Sequence, residues 1–125
     1  MQKIEILVSG KTFTVELLDT EAAQALADCL PMEVTMEELN GNEKYVYLTT
    51  ALPVVEEKPK CIHAGDLMLF GSNCLVLFYQ DFTTSYGYTP LGRVTDTQQL
   101  ADSLGNRDIS VTFRSLSQQM EDRFS

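Results

Sequence analysis

The stretch that most constrains this chain is Cys74–Tyr79, an unbroken run of apolar and aromatic side chains that follows the turn residues Gly71-Ser72-Asn73. A short run of this kind between turn signals is the pattern of a strand covered on both faces. Such a strand belongs at the centre of a sheet or barrel. The run lies within Gly65–Val94, which also holds three of the chain's five tyrosines. After it comes a polar, aromatic loop that opens into Gly92-Arg93-Val94, and loops that leave a rigid scaffold are where sites are usually carried.

The flanking sequence supplies the neighbours such a strand needs. Ile4, Ile6 and Val8 alternate with Glu5, Leu7 and Ser9, and Phe13, Val15 and Leu17 repeat the period of two. Gly10-Lys11 between them predicts a two-residue hairpin with Gly first in the turn. Asp19 or Thr20 can cap a helix whose Ala22, Ala25, Leu26, Cys29 and Leu30 form one apolar stripe, and Pro31 ends it. Met32, Val34 and Met36 read as an edge-like strand with an acidic outer face. Asn40-Gly41-Asn42 turns into Lys44–Thr50, rich in β-branched and aromatic residues.

Leu52–Lys60, with two prolines and four charges, reads as a surface connection. Beyond it come the strands Leu67–Phe70, Cys74–Tyr79 and Gly92–Thr95. A second short helix is expected over Thr97–Leu104, capped by Asp96 or Thr97 and stopped by Gly105-Asn106. Ile109, Val111 and Phe113 give a last alternating strand. Residues 1–116 are expected to form one domain and 117–125 a frayed polar tail. About eight short strands leave many open edges unless they close on themselves. The expectation is a mainly β fold, a closed eight-stranded barrel with two short helices capping its ends.

This order of elements resembles the cyclophilin-like fold. IEILVSGKTFTVELLDTEAAQALADCL is similar to the opening hairpin and helix of cyclophilins, GDLMLFGSNCLVLFY to a Gly-led strand, turn and aromatic-ended strand, and LGRV with LGNRDISVTF to the closing elements. The combination of LP, NGNEKY, GDLMLFGSN, LVLFY and TSYGYTPLGRV resembles the small prokaryotic cyclophilin-like family, whose members are mostly functionally uncharacterised. Cyclophilins that isomerise prolyl bonds carry Phe-x-Arg-Val/Ile and Phe-Met-x-Gln segments in mid-chain. The corresponding region here, EKYVYLTTALPVVEEKPK, has neither arginine nor glutamine, and the chain has no tryptophan. No catalytic residue carries over. The resemblance therefore implies a binding module, with a divergent prolyl isomerase using Arg93 as the alternative.

Charge and cysteine usage narrow the partners. A net charge of −9 repels phosphate backbones and anionic membrane surfaces, which excludes nucleic acid and membrane as expected partners. Three widely spaced cysteines are not a disulfide framework. The first residues, MQKIEILV, show no signal peptide, and no apolar run approaches the ~20 residues that span a bilayer, so a cytoplasmic location is expected.

Cys61 and His63 would share a strand face as nucleophile and base or as half a zinc site, but the spacing names no further ligand or orienting acid. A hydrolytic activity through that pair is the third reading. Glu37-Glu38 and Glu56-Glu57 point to opposite faces in extended chain and suit a solvated surface. No metal or cofactor set emerges. The ligand-binding candidates are Tyr45, Tyr47, Phe82, Thr84, Tyr86, Tyr88 and Arg93: flat apolar rings, hydroxyls and one planar cation, the usual make-up of a peptide or small-molecule site. The plainer alternative is that these rings pack the barrel end and that Arg93 pairs with a surface carboxylate.

Overall fold

The alternation in the opening residues becomes two antiparallel strands, β1 (Lys3–Val8) and β2 (Lys11–Leu17), in the computed structural model, which describes residues 2–116. The expected tail, 117–125, lies outside the described residues. Ile4, Ile6, Val8, Phe13, Val15 and Leu17 all turn inward and are buried. The hairpin turn is Ser9-Gly10 rather than Gly10-Lys11. Both residues have positive φ, 51° and 74°, the geometry that matches strand twist, and Lys11 already pairs with Val8.

Thr20 caps α1 (Glu21–Asp28), its hydroxyl accepting the Ala23 N–H at 3.1 Å. Ala22, Ala23 and Leu26 of α1 join the interior cluster, while Ala25, Cys29 and Leu30 pack against it half-buried. The helix ends before a cis Leu30–Pro31 bond. Beyond it, β3 (Met32–Leu39) runs longer than the alternation alone predicted. Its partner β4 (Glu43–Tyr47) is shorter than the expected Lys44–Thr50.

The remaining strands are β5 (Cys61–Ile62), β6 (Asp66–Phe70), β7 (Cys74–Phe78), β8 (Phe82–Thr83), β9 (Thr89–Val94) and β10 (Ile109–Ser115). Eight of the ten strands among the described residues close a barrel in the order β1-β10-β3-β4-β7-β6-β9-β2, with β2 returning to β1, and β5 with β8 forms a separate two-stranded ribbon. This is the closed eight-stranded barrel that the sequence predicts. The second helix, α2, covers Leu100–Leu104. It starts after Gln99 in a left-handed conformation, not at Asp96 or Thr97; Asp96 accepts the Gln98 N–H and the Thr97 carbonyl accepts the Leu100 N–H. Gly105 donates to the Ala101 carbonyl and stops it.

Because α1 follows the end of β2 and α2 lies beside the β1–β2 turn, where Ser9 Oγ donates to the Ser103 carbonyl at 2.8 Å, the helices plug opposite ends of the barrel. No helix among the described residues is long and apolar enough to cross a membrane.

β7 is covered on both faces, and the register shows by what. Leu75 and Leu77 point into the barrel with Leu67, Leu69, Leu91, Val111 and Phe113. Cys74, Val76 and Phe78 point outward into a second apolar cluster with Ile62, Met68 and Tyr88. The β5–β8 ribbon supplies the outer layer. A shift in register between β6 and β9 at Leu67/Met68 lets Leu91 and Val94 both turn inward while Pro90 and Arg93 face out. Gly92 is required there: a Cβ would sit 2.4 Å from the Glu16 carbonyl oxygen.

Candidate functional site

Residues directly opposite one another on antiparallel strands share a face. Across β3, β4, β7 and β6 this gives three outward rows: Leu39–Glu43–Phe78, Glu37–Tyr45–Val76–Met68, and Tyr47–Cys74–Phe70. They make a floor that is apolar at β7 and β6 and aromatic at β4, where Tyr45 and Tyr47 meet edge to face at 5.9 Å.

The segment after β7 folds over this floor. Phe82 and Thr83 pair with Ile62 and Cys61, the Thr84 N–H donates to the Lys60 carbonyl, and Tyr88 and Glu57 exchange backbone hydrogen bonds at 2.8 Å. Thus the Leu52–Lys60 connection, lacking long strands of its own, clamps the aromatic loop from behind. Tyr88 is driven against Phe78 at 5.4 Å and Phe70 at 5.6 Å, and Phe82 against Phe78 at 5.5 Å.

Between floor and loop lies an open groove of about 570 Å³. The structure brings Tyr45, Tyr47, Phe82, Thr84, Tyr86 and Tyr88 to this one groove, with Thr83 and Ser85. Tyr88 is buried, whereas Tyr47, Tyr86 and Phe70 stand exposed at the rim, Tyr86 edge-on to Phe70 at 6.0 Å. Sequence reasoning missed Phe70, Cys74 and Val76, whose outward position follows only from register, and it missed Glu43. Glu43 had a usable signal: two residues before Tyr45, it shares that face of the strand.

Electrostatically the groove is one-sided. No lysine, arginine or histidine lines it among the described residues. Glu43 is half-buried and makes no side-chain hydrogen bond or ion pair with any described residue, so its oxygens are open to the groove. Burial, and then the nearby Glu38 charge, raise its pKa above the ordinary carboxylate value. Burial followed by the Glu43 charge likewise raises the Tyr88 phenol and the Cys74 thiol. At Tyr45 the charge of Glu37, directly opposite on β3, is the largest cause of a raised pKa.

Arg93 is elsewhere. It lines a second groove of about 550 Å³ on the β2–β9–β6 side, with Glu16, Cys61, His63 and Asp66. Its Nε meets Asp66 Oδ1 at 3.4 Å, while Asp66 Oδ2 accepts the His63 backbone N–H at 2.9 Å. Cys61 and His63 do face one groove, both exposed, but the nearby acid holds backbone and arginine rather than orienting the imidazole. Among the described residues no three of His, Cys, Asp and Glu are placed to share a metal ion.

Comparisons with known proteins agree with this architecture. The family model described as the cyclophilin-like family matches residues 6–114. The chain is similar to the solution structure of a hypothetical protein from Archaeoglobus fulgidus, with a TM-score of 0.67 and 19% identity over 91% of this chain and 94% of that one. It is also similar to McbB, solved in complex with tryptophan, with a TM-score of 0.66 and 16% identity over 92% of this chain and 44% of McbB. No curated protein matches it. At such identities the structural likeness speaks for the fold alone, whereas the family match spans most of the sequence: the chain belongs to the cyclophilin-like family.

Proposed function

We propose that this protein is a binding module that takes a peptide or a small molecule in the aromatic groove and lacks prolyl isomerase chemistry. The observation that carries this reading is the convergence of Tyr45, Tyr47, Phe82, Tyr86 and Tyr88 on one open groove, with exposed rings at its rim. A concave, largely apolar site with a few hydroxyls is what small ligands and peptide side chains occupy. Cyclophilins that isomerise prolyl bonds use an arginine guanidinium to help polarise the prolyl amide. The groove has none among its described lining residues, and Arg93 sits in the second groove beside Asp66.

The groove carries its own reporter. Four of the five tyrosines line it and the chain has no tryptophan, so intrinsic fluorescence is weighted toward this site. Titration with short peptides, with and without proline, and with aromatic amino acids including tryptophan, the ligand named with McbB, is expected to change that signal saturably. Tyr86→Ala, at an exposed rim ring, should weaken binding about tenfold, as removal of one well-placed aromatic contact does. A proline-peptide isomerisation assay should show no acceleration over the uncatalysed rate. Saturable binding that Tyr86→Ala and Tyr47→Ala both leave untouched would remove the groove as the site.

A further inference from the structure

We infer that the aromatic groove selects an organic cation, an ammonium or guanidinium group carried on an apolar stem, with Glu43 as its counter-ion. The inference rests on the groove being a ligand site and adds the class of ligand. Three observations carry it. First, the lining is rich in aromatic rings, and an aromatic face is electron-rich, so a cation seated over such a face is attracted where an anion is repelled.

Second, the ionised group at the inner end of the floor is a carboxylate without a partner. Glu43 lies between Leu39 and Phe78 in its row and is bonded by no described residue, whereas Glu38, Asp66 and Glu5, the most enclosed of the other carboxylates described around the barrel, are held. Glu38 is bound by Lys44 and Tyr79, Asp66 by Arg93 and the His63 N–H, and Glu5 by Arg114. A carboxylate left half-desolvated beside rings loses hydration with no return in the free protein, and an arriving cation supplies the missing partner.

Third, the nearest lysine cannot do so. Lys44 is adjacent in sequence but turned into the barrel, fully buried, its Nζ held by Glu38 at 2.8 Å and by the carbonyls of Gly105 and Arg107 at 2.9 and 2.6 Å. Glu37, exposed beside Tyr45, adds to the same sign of field. An anionic ligand would meet Glu43 with no cation to offset it. A neutral ligand would gain the rings and nothing from the carboxylate.

Two cationic probes test this on the full chain: N-acetyl-lysine methylamide, a peptide-borne ammonium, and phenethylamine, a free amine. Each is paired with a neutral counterpart, the lysine analogue with methyl in place of the ammonium, and 2-phenylethanol. Affinities are read from amide chemical shifts of groove residues and from tyrosine fluorescence. The expected result is about a tenfold preference for cation over neutral counterpart in the wild type, falling below about threefold in Glu43→Gln, with neutral binding unchanged within about twofold. The tighter of the two cations tells whether the group arrives on a peptide or as a free amine. Equal binding of cation and neutral probe, or a preference that survives Glu43→Gln, overturns the inference and leaves the groove a binding site. Failure of both cations to shift any groove resonance also overturns the inference, and the groove as a binding site then stands or falls by the peptide and aromatic titrations.

Discussion

Glu43 and Lys44 are neighbours in sequence and opposites in circumstance, because successive residues of a strand face opposite sides of the sheet. On the inner face, Lys44 is wholly buried, bound to Glu38 and two carbonyl oxygens, and lies 5.4 Å from the Tyr79 ring centroid. Glu38 in turn receives the Tyr79 hydroxyl at 2.6 Å and the Gly41 N–H at 2.7 Å. Burial alone would raise its pKa; the hydrogen bonds from Lys44, Tyr79 and Gly41 outweigh that and hold it below the ordinary value. On the outer face, Glu43 has no such set, and its pKa is raised. Charge inside the barrel is tolerated only when every lone pair and proton is matched. The unmatched charge lies where a ligand can reach it.

The contrast is sharpest in stability. Lys44→Ala removes the cation but leaves Glu38 and two carbonyls facing a void, so it should cost about 3–5 kcal/mol, the range for breaking a buried pair from one side. The denaturant midpoint measures it. A loss near 1 kcal/mol would mean that the inner face is no better satisfied than the outer one. Glu38→Gln should cost less, about 1–2 kcal/mol, because the amide oxygen can still accept from Lys44 and Tyr79, while the charge and the Gly41 N–H bond to Oε2 are lost. Its signature is in the pH dependence. A folded pKa below the unfolded one means that Glu38 stabilises above the unfolded value and loses that contribution as pH falls through the folded one. The acid limb of the stability profile should therefore be shallower in Glu38→Gln than in the wild type, and coincident limbs would contradict the lowered pKa.

Why the inner face was legible in the sequence and the outer only partly follows from which patterns are local. Ile4-Ile6-Val8, Phe13-Val15-Leu17 and the Leu75 and Leu77 pair announce their inward faces by spacing alone, and closure follows from the number of short strands. Thr89 and Pro90 belong to β9 although the sequence shows only a polar loop opening into Gly92; the register shift beside them is a tertiary accommodation with no sequence signal. The two-residue strands β5 and β8 are too short to show a period, so the ribbon that buries Phe78 from outside was invisible. Likewise Tyr45 and Tyr47 share one face by spacing, whereas Arg93 enters the candidate set only because it follows the aromatic loop in sequence. Its position on β9 in the closed barrel separates it from β4 by both β7 and β6.

That separation makes the next prediction small. Arg93→Ala removes an arginine whose side chain is 67% exposed from a 3.4 Å contact with Asp66. The arginine end of the pair is exposed and screened, and the buried Asp66 carboxylate keeps the His63 N–H, so stability should fall by about 1 kcal/mol at most. Binding in the aromatic groove should not change. A tenfold loss of groove ligand affinity in Arg93→Ala would show that the two grooves act as one site, against their separate linings.

Glu43→Gln should move stability least of all, and in the opposite direction from Lys44→Ala. With its folded pKa raised, Glu43 costs folding free energy when ionised; the cost is absent below the unfolded pKa and complete above the folded one. At neutral pH the wild type carries that cost and the amide does not. Because the side chain is only half-buried and water screens it, the gain should be a few tenths of a kcal/mol. It should vanish as the pH is taken well below the ordinary value of 4.5, where the wild-type carboxyl is neutral too. A stabilised variant that no longer prefers a cationic ligand is the pattern expected of a residue kept for binding at the expense of folding. A destabilised one would mean that Glu43 has a partner in the folded chain and belongs, with Lys44, to the structural face.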